Sequence, residues 1–260
     1  MSDEYHGWPA IRRLVPNRFS LALLLLFLGV AVAAACGGDD SGDGNDPDDG
    51  FANPGFEEDL TRPCVSDTLA CWFALNPPEF IVSDRTANSG VNSALLAMRQ
   101  TTASREAEIH YLVQEVAPNE LPEVISGNYF VENWVKGTDL QYLQFVVIVF
   151  GGGDDLAPCP GGGACSNYQI RYLLAGIDRE PFGIANAKFV FITDLAPVEG
   201  EWIHFERNLR QDVIDLWGGL PSDFTKIRVL FEVRYDGKTP TEGPLEADVF
   251  YDDLYMGPPR

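Results

Sequence analysis

A chain of 260 residues is long enough for one large β domain or two small ones, and 45% hydrophobic with 12% aromatic residues gives it ample core. The formal net charge of −21 disfavours nucleic acid and anionic membrane surfaces as partners and leaves cations, neutral glycans or basic proteins. Eighteen prolines and 25 glycines in short clusters call for many turns and little long helix.

In chain order, the first feature is an address. Arg12, Arg13 and Arg18 precede an apolar run from Leu21 to Ala35, followed by Cys36. That describes a secretory signal over residues 1–35; the run is short for a membrane span and no stop-transfer pattern follows. The end Ala33-Ala34-Ala35-Cys36 resembles the lipobox of bacterial lipoproteins, departing from it at Ala33, where leucine is usual. The resemblance implies lipidation of Cys36. Gly37 after that cysteine, in place of aspartate, points to the outer membrane or cell surface. The alternative is plain cleavage after Ala35.

Residues 36–50 hold six Asp and five Gly and no aliphatic residue, so they cannot bury surface and serve as an acidic tether. Beyond Cys36 four cysteines remain, Cys64, Cys71, Cys159 and Cys165. In an exported chain their close spacing suggests two local disulfides, Cys64–Cys71 and Cys159–Cys165, each worth on the order of 2–3 kcal/mol. With three histidines, His6, His110 and His204, and no C-x-x-C, zinc is disfavoured.

Residues 51–260 read as one β domain. Alternating apolar segments predict strands at Cys71–Ala74, Ala94–Arg99, Ala107–Val113, Tyr129–Lys136, Leu140–Phe150, Tyr168–Ala175, Ala187–Thr193, Trp202–Asn208, Ile227–Tyr235 and Asp248–Met256. Turn residues separate them, and one short helix is predicted at Gln211–Trp217, ended by Gly218-Gly219. This rhythm, without alternating helices, predicts an all-β antiparallel sandwich or jelly roll.

Five stretches in order carry a family resemblance. They are Asn53-Pro54-Gly55-Phe56-Glu57, the Asn88-Ser89-Gly90 turn running into Ala94-Leu95, Gly127–Gly137 with its aromatic strand, Glu201-Trp202-Ile203-His204-Phe205, and Tyr251-Asp252-Asp253-Leu254. Together they resemble the carbohydrate-binding modules of the family 4/9/22 group, whose fold is the galactose-binding-like jelly roll. Thr61–Asn76, Gly151–Asn167 and Asn208–Thr225 look like insertions against that pattern. The resemblance implies a structural calcium near the joined termini, with Glu57 and Asp252 as the matching acids and Asn53 and Asp253 as weaker ones. Physically, carboxylates on two distant segments are what a calcium clamp needs. The plain alternative is that Asp252 caps a turn and Glu57 faces water.

For a ligand face, strand parity is the guide. The odd row of Leu140–Phe150, the even row of Tyr168–Ala175 and the odd row of Ile227–Tyr235 are apolar and face the core. If the remaining rows share one sheet with the even row of Tyr129–Lys136, Trp134 and Tyr142 form an aromatic floor. Glu132, Gln144 and Arg171 then hydrogen-bond sugar hydroxyls above it. The alternative keeps Trp134 in the core. Trp72 is a candidate rim residue.

No nucleophile elbow, phosphate-binding loop or metal-spaced histidine pair is present. The expectation is therefore a lipid-anchored, non-catalytic module that binds carbohydrate. A surface lipoprotein contacting a protein partner is the second reading. A glycan-cleaving enzyme using acids such as Glu132 and Glu232 is the third.

Overall fold

The computed structural model describes residues 50–58, 71–75, 80–100, 107–137, 140–151, 167–221, 223–237 and 244–260. All lie in the second of the chain's two units, Asp43–Arg260. The signal, Cys36, the tether up to Asp49, and Cys64, Cys159 and Cys165 lie outside the described residues, as do most of the two cysteine-bearing insertions. Cys71 is disulfide-bonded.

Among the described residues, ten strands form two five-stranded sheets. The strands are β1 (Ile81–Ser83), β2 (Ser93–Gln100), β3 (Glu108–Val116), β4 (Val124–Val135), β5 (Gln141–Gly151), β6 (Asn167–Ala175), β7 (Ala187–Phe191), β8 (Trp202–Asn208), β9 (Phe224–Tyr235) and β10 (Leu245–Gly257). The first sheet runs β1-β2-β10-β4-β8 and the second β3-β9-β5-β6-β7. The all-β sandwich expected from the alternation is what the chain forms. One pair departs from the antiparallel expectation: β7 runs parallel to β6, because the segment between them carries the chain back along the sheet before it re-enters. The predicted strand at Cys71–Ala74 is reduced to a bridge between Phe73 and Val113, and β1 had no sequence prediction.

Each apolar row faces inward as parity required. Leu143, Phe145, Val147 and Val149 of β5, Tyr168, Ile170, Tyr172 and Leu174 of β6, and Ile227, Val229, Phe231 and Val233 of β9 all join the principal core. At its centre Phe145 stacks on Tyr172 at 4.4 Å in its own sheet and on Phe205 of the opposite sheet at 4.9 Å. Phe231 meets Tyr251 across the same gap at 5.3 Å. Truncating a buried aromatic of this kind costs about 3–5 kcal/mol. Close packing at Gly127 belongs to the same core: a β-carbon there would stand 2.5 Å from Leu254 Cδ2 and 2.9 Å from Phe205 Cζ.

The one helix among the described residues, α1 (Leu209–Trp217), begins two residues before its prediction. Asn208 caps it by accepting from Gln211 N at 2.8 Å, and Gly218 ends it at φ 84° with its N–H on Ile214 O. Trp217 then packs edge-on against Tyr168, so the helix closes one end of the core.

Two irregularities in the β4–β10 ladder decide what faces where. Asn133 pairs with Asp248 but Val131 pairs with Val249, so Glu132 is an extra residue and parity reverses across it. A second shift lies between Asp252 and Tyr255, where Asp253 takes φ +48°. The ladder is interrupted there, and Leu254 N donates instead to Pro54 O at 3.1 Å.

Candidate functional site

Three places were marked by the sequence: the corner of Glu57 and Asp252, the row containing Trp134 and Glu132, and the row containing Tyr142, Gln144 and Arg171.

At the corner, the Asn53–Phe56 turn docks on the second β10 irregularity. Phe56 N donates to Asn53 O at 3.2 Å, and both Asn53 and Phe56 adopt positive φ, which only a turn held from several sides tolerates in bulky residues. The holding comes from Trp72, whose Nε1 donates to Asn53 O at 3.0 Å and whose ring packs on Phe51 and Phe56. Trp72 is therefore core at 3% exposure, which corrects its placement on a rim.

Glu57 and Asp252 do meet one another's surroundings, because both reach the 88–92 loop. Glu57 Oε1 accepts from Val91 N and Asn92 N, each at 2.8 Å. Asp252 Oδ2 accepts from Asn88 N at 2.7 Å and Ser89 N at 3.2 Å, and its Oδ1 from Asp253 N at 2.8 Å. Asp253 adds bonds from Asn88 Nδ2 and Ser89 Oγ. As arranged, hydrogen bonds close this corner. A calcium ion there would use Glu57 Oε2 and the remaining lone pairs of Asp252, in competition with those amide hydrogens. Calcium needs six to eight oxygens, and among the described residues no three acid, histidine or cysteine side chains converge to hold a metal.

The Trp134 row does not join the Tyr142 row. Trp134 and Glu132 belong to β4 in the first sheet, whereas Tyr142, Gln144 and Arg171 belong to β5 and β6 in the second. The extra residue at Glu132 turns Trp134 to the inside, opposite Ala247, where it packs against the principal core. Glu132 faces out and pairs with Arg85, whose guanidinium lies 5.3 Å from the Phe250 ring. A shared aromatic floor of Trp134 and Tyr142 is thereby corrected to two separate positions. The same separation bears on Glu132 and Glu232 as an acid pair. They stand on opposite outer faces of sheets that pack about 10 Å apart, beyond the ~5–9.5 Å that paired carboxylates use in glycoside hydrolysis.

The outer face of the second sheet holds the polar cluster. Its register sets Tyr111, Glu232, Gln144 and Leu173 on one rung, and Val113, Leu230, Val146, Arg171 and Phe189 on the next. Gln144 Nε2 donates to Glu232, Arg234 Nε donates to Asp236 Oδ1 at 2.5 Å, and Tyr142 OH donates to Asp236 Oδ2 at 3.0 Å. Tyr142 is fully buried, so it serves as a buried hydrogen-bond donor here, not as an exposed platform. Burial, assisted by Asp236 and Glu232, pushes its hydroxyl far above the usual tyrosine range. Arg171 Nη2 donates to Gln169 Oε1 at 2.9 Å, and burial lowers its guanidinium's pKa. Phe182, on the segment between β6 and β7, lies 5.2 Å from the Arg171 guanidinium and 5.0 Å from that of Arg234.

Within this cluster Gln144 Oε1, Arg171 Nε and Arg171 Nη1 are buried without a hydrogen-bond partner. Unsatisfied buried polar atoms cost about 1–3 kcal/mol each, so native proteins rarely keep them without a use. Two cations, Arg171 and Arg234, balance two carboxylates, Glu232 and Asp236. A group that both accepts from the guanidinium and donates to the amide oxygen, such as a water or a hydroxyl, would complete these bonds.

No known family pattern and no curated protein sequence matches the chain. Among solved structures it is similar to the carbohydrate-binding module TmCBM61 in complex with β-1,4-galactotriose, at 13% identity over 80% of this chain and 97% of that one, with a TM-score of 0.39. It is similar to the C-terminal family 22 carbohydrate-binding module of Clostridium thermocellum Xyn10B at 14% identity over 79% and 95%, with a TM-score of 0.30. It is also similar to the enzymatically active domain of bacteriophage CBA120 tailspike protein 4, at 12% identity and a TM-score of 0.38 over 81% of this chain but 22% of that one. Likeness at this level carries no argument about a ligand.

The corner makes a pH prediction. Burial pushes Asp252 up to about 6, despite the three amide hydrogens that pull it down. A carboxyl raised in the folded state adds stability that is complete below its unfolded pKa and is lost as pH rises through about 6. Unfolding free energies measured between pH 4 and 8 are expected to fall across that window in the native protein relative to Asp252→Asn. Parallel profiles would remove the assignment.

Proposed function

We propose that the protein is a non-catalytic module that binds a neutral glycan on the outer face of the second sheet. The observation that supports it is the set of unpartnered buried atoms of Arg171 and Gln144 within a cluster in which Arg171 and Arg234 balance Glu232 and Asp236. A sugar presents paired hydroxyls that accept from Arg171 and donate to Gln144 Oε1. An acidic sugar would bring its carboxylate up against Glu232 and Asp236, which like-charge repulsion disfavours. The ordered motifs from Asn53 to Leu254 favour the same class by resemblance.

Binding across a glycan array, followed by titration of Arg171→Met, tests this. The variant is expected to lose roughly tenfold or more in affinity for a neutral polysaccharide, while its Tm stays within a few degrees. Relief of the two unpartnered donors of Arg171 offsets part of the lost attraction to Glu232, and circular dichroism checks that the variant folds. No binding across neutral polysaccharides sinks the proposal. So does binding that survives in Arg171→Met.

The address belongs to the proposal too. Cys36 would carry the lipid that holds the module at the outer membrane or cell surface, with residues 36–50 as the tether. In a bacterial host Cys36→Ser is expected to move the protein from the membrane to the soluble envelope fraction. Unchanged membrane retention would argue against lipidation.

Calcium at the Glu57–Asp252 corner is proposed as an added clamp on the hydrogen-bonded closure described above. Chelator is expected to lower the Tm of the native protein and to leave Glu57→Gln unaffected. A native Tm indifferent to chelator removes the ion. The Cys64–Cys71 and Cys159–Cys165 pairings stand as proposals of the same kind, read by mapping disulfide-linked peptides.

A further inference from the structure

Where β4, β6 and β7 end together, the protein has a cavity of about 190 Å³ whose lining includes none of Gln144, Arg171, Glu232, Arg234 or Asp236. Four charged side chains line it: Lys136 just past β4, Asp178 and Arg179 after β6, and Asp194 after β7. Gly176 and Ile177 complete much of the wall. Lys136 Nζ donates to Gly176 O at 2.9 Å, so the lysine is already turned across the opening strand ends.

Gly176 is required here. It sits at φ +98°, and a β-carbon would lie 2.9 Å from Gln141 O and 3.2 Å from Trp134 Cζ2. The edge of the Trp134 indole thus abuts the backbone that lines the cavity. Trp134 Nε1, on that same edge, is buried with no hydrogen-bond partner. Trp134 does not itself line the cavity, so this N–H lies behind the wall and the pocket rests on the lining side chains.

Size and charge select the occupant. The cavity is smaller than the ~300–1,000 Å³ of sites for drug-sized ligands, which limits it to one ring. Lys136 and Arg179 offset Asp178 and Asp194, so no net charge is drawn in. Ammonium and guanidinium donors interleaved with carboxylate acceptors match a ring carrying several hydroxyls, each able to accept and donate. We propose that this cavity is a pocket for a single neutral sugar ring, distinct from the outer face of the second sheet.

Isothermal titration of the full chain with methyl glycosides of neutral hexoses and pentoses tests it, with glycine as a zwitterion of similar charge balance. At least one glycoside is expected to bind, and Asp194→Ala and Lys136→Ala are each expected to weaken it roughly tenfold or more. Arg171→Met is expected to leave that affinity unchanged. Asp194 is exposed, so its replacement should not move the Tm, and Asp178→Ala provides a second surface variant. No glycoside binding overturns the pocket, as does binding indifferent to Asp194 and Lys136, or preference for glycine. Loss of polysaccharide binding in Arg171→Met with glycoside binding intact separates this pocket from the sheet face. If no polysaccharide binds at all, methyl glycoside binding through Asp194 still upholds the pocket.

Discussion

The aromatic contact between the sheets is what the rest of the molecule depends on. Phe145 stacks on Tyr172 and Phe205, and Phe231 packs on Tyr251, so residues from both sheets meet at one point of the core. Side chains alternate strictly along a strand, so holding Phe145 inward holds Gln144 and Val146 outward. A slip of one residue would place Gln144 and Glu232 in the apolar interior. The register that buries these rings is therefore the register that builds the polar cluster on the opposite surface.

Closure of the domain uses a different device. Chain segments almost two hundred residues apart are joined by two carboxylates that collect amide hydrogens from one loop. The irregularity at Asp253 makes this possible. It lets Asp252 turn to Asn88 and Ser89 while Leu254 N bonds to the Asn53–Phe56 turn. Long-range pairing of this sort carries a loop-closure cost that the contacts at the corner must offset.

The outer face of the second sheet and the cavity at the strand ends share a physical signature. In each, two cationic and two carboxylate side chains lie together, and on the sheet face Gln144 and Arg171 also keep buried atoms without a partner. A stability-driven arrangement would fill those positions with apolar side chains or complete the bonds. Phe182 over Arg171 and Arg234 shows how much of the cluster is already desolvated, which strengthens any hydrogen bond a ligand makes there.

Much of this was legible in the residues. Alternation showed which rows of β5, β6 and β9 face the core, and the Asn208 and Gly218 signals placed the helix within two residues. Gln144 and Arg171 were legible as outward polar groups for the same reason. Trp134 was not, because one extra residue at Glu132 reverses parity without altering local composition. Arg234 was legible in the same way, on the outward row of β9, but Phe182 and Asp236 left no pattern, since their role comes from a loop folding over a neighbouring strand. The amino-acid sequence by itself determined the sandwich, its inward rows and its turns, because periodicity and turn chemistry are local. Only the tertiary structure decided which strands share a sheet, where the irregularities fall and which polar groups meet, because those depend on contacts between distant segments.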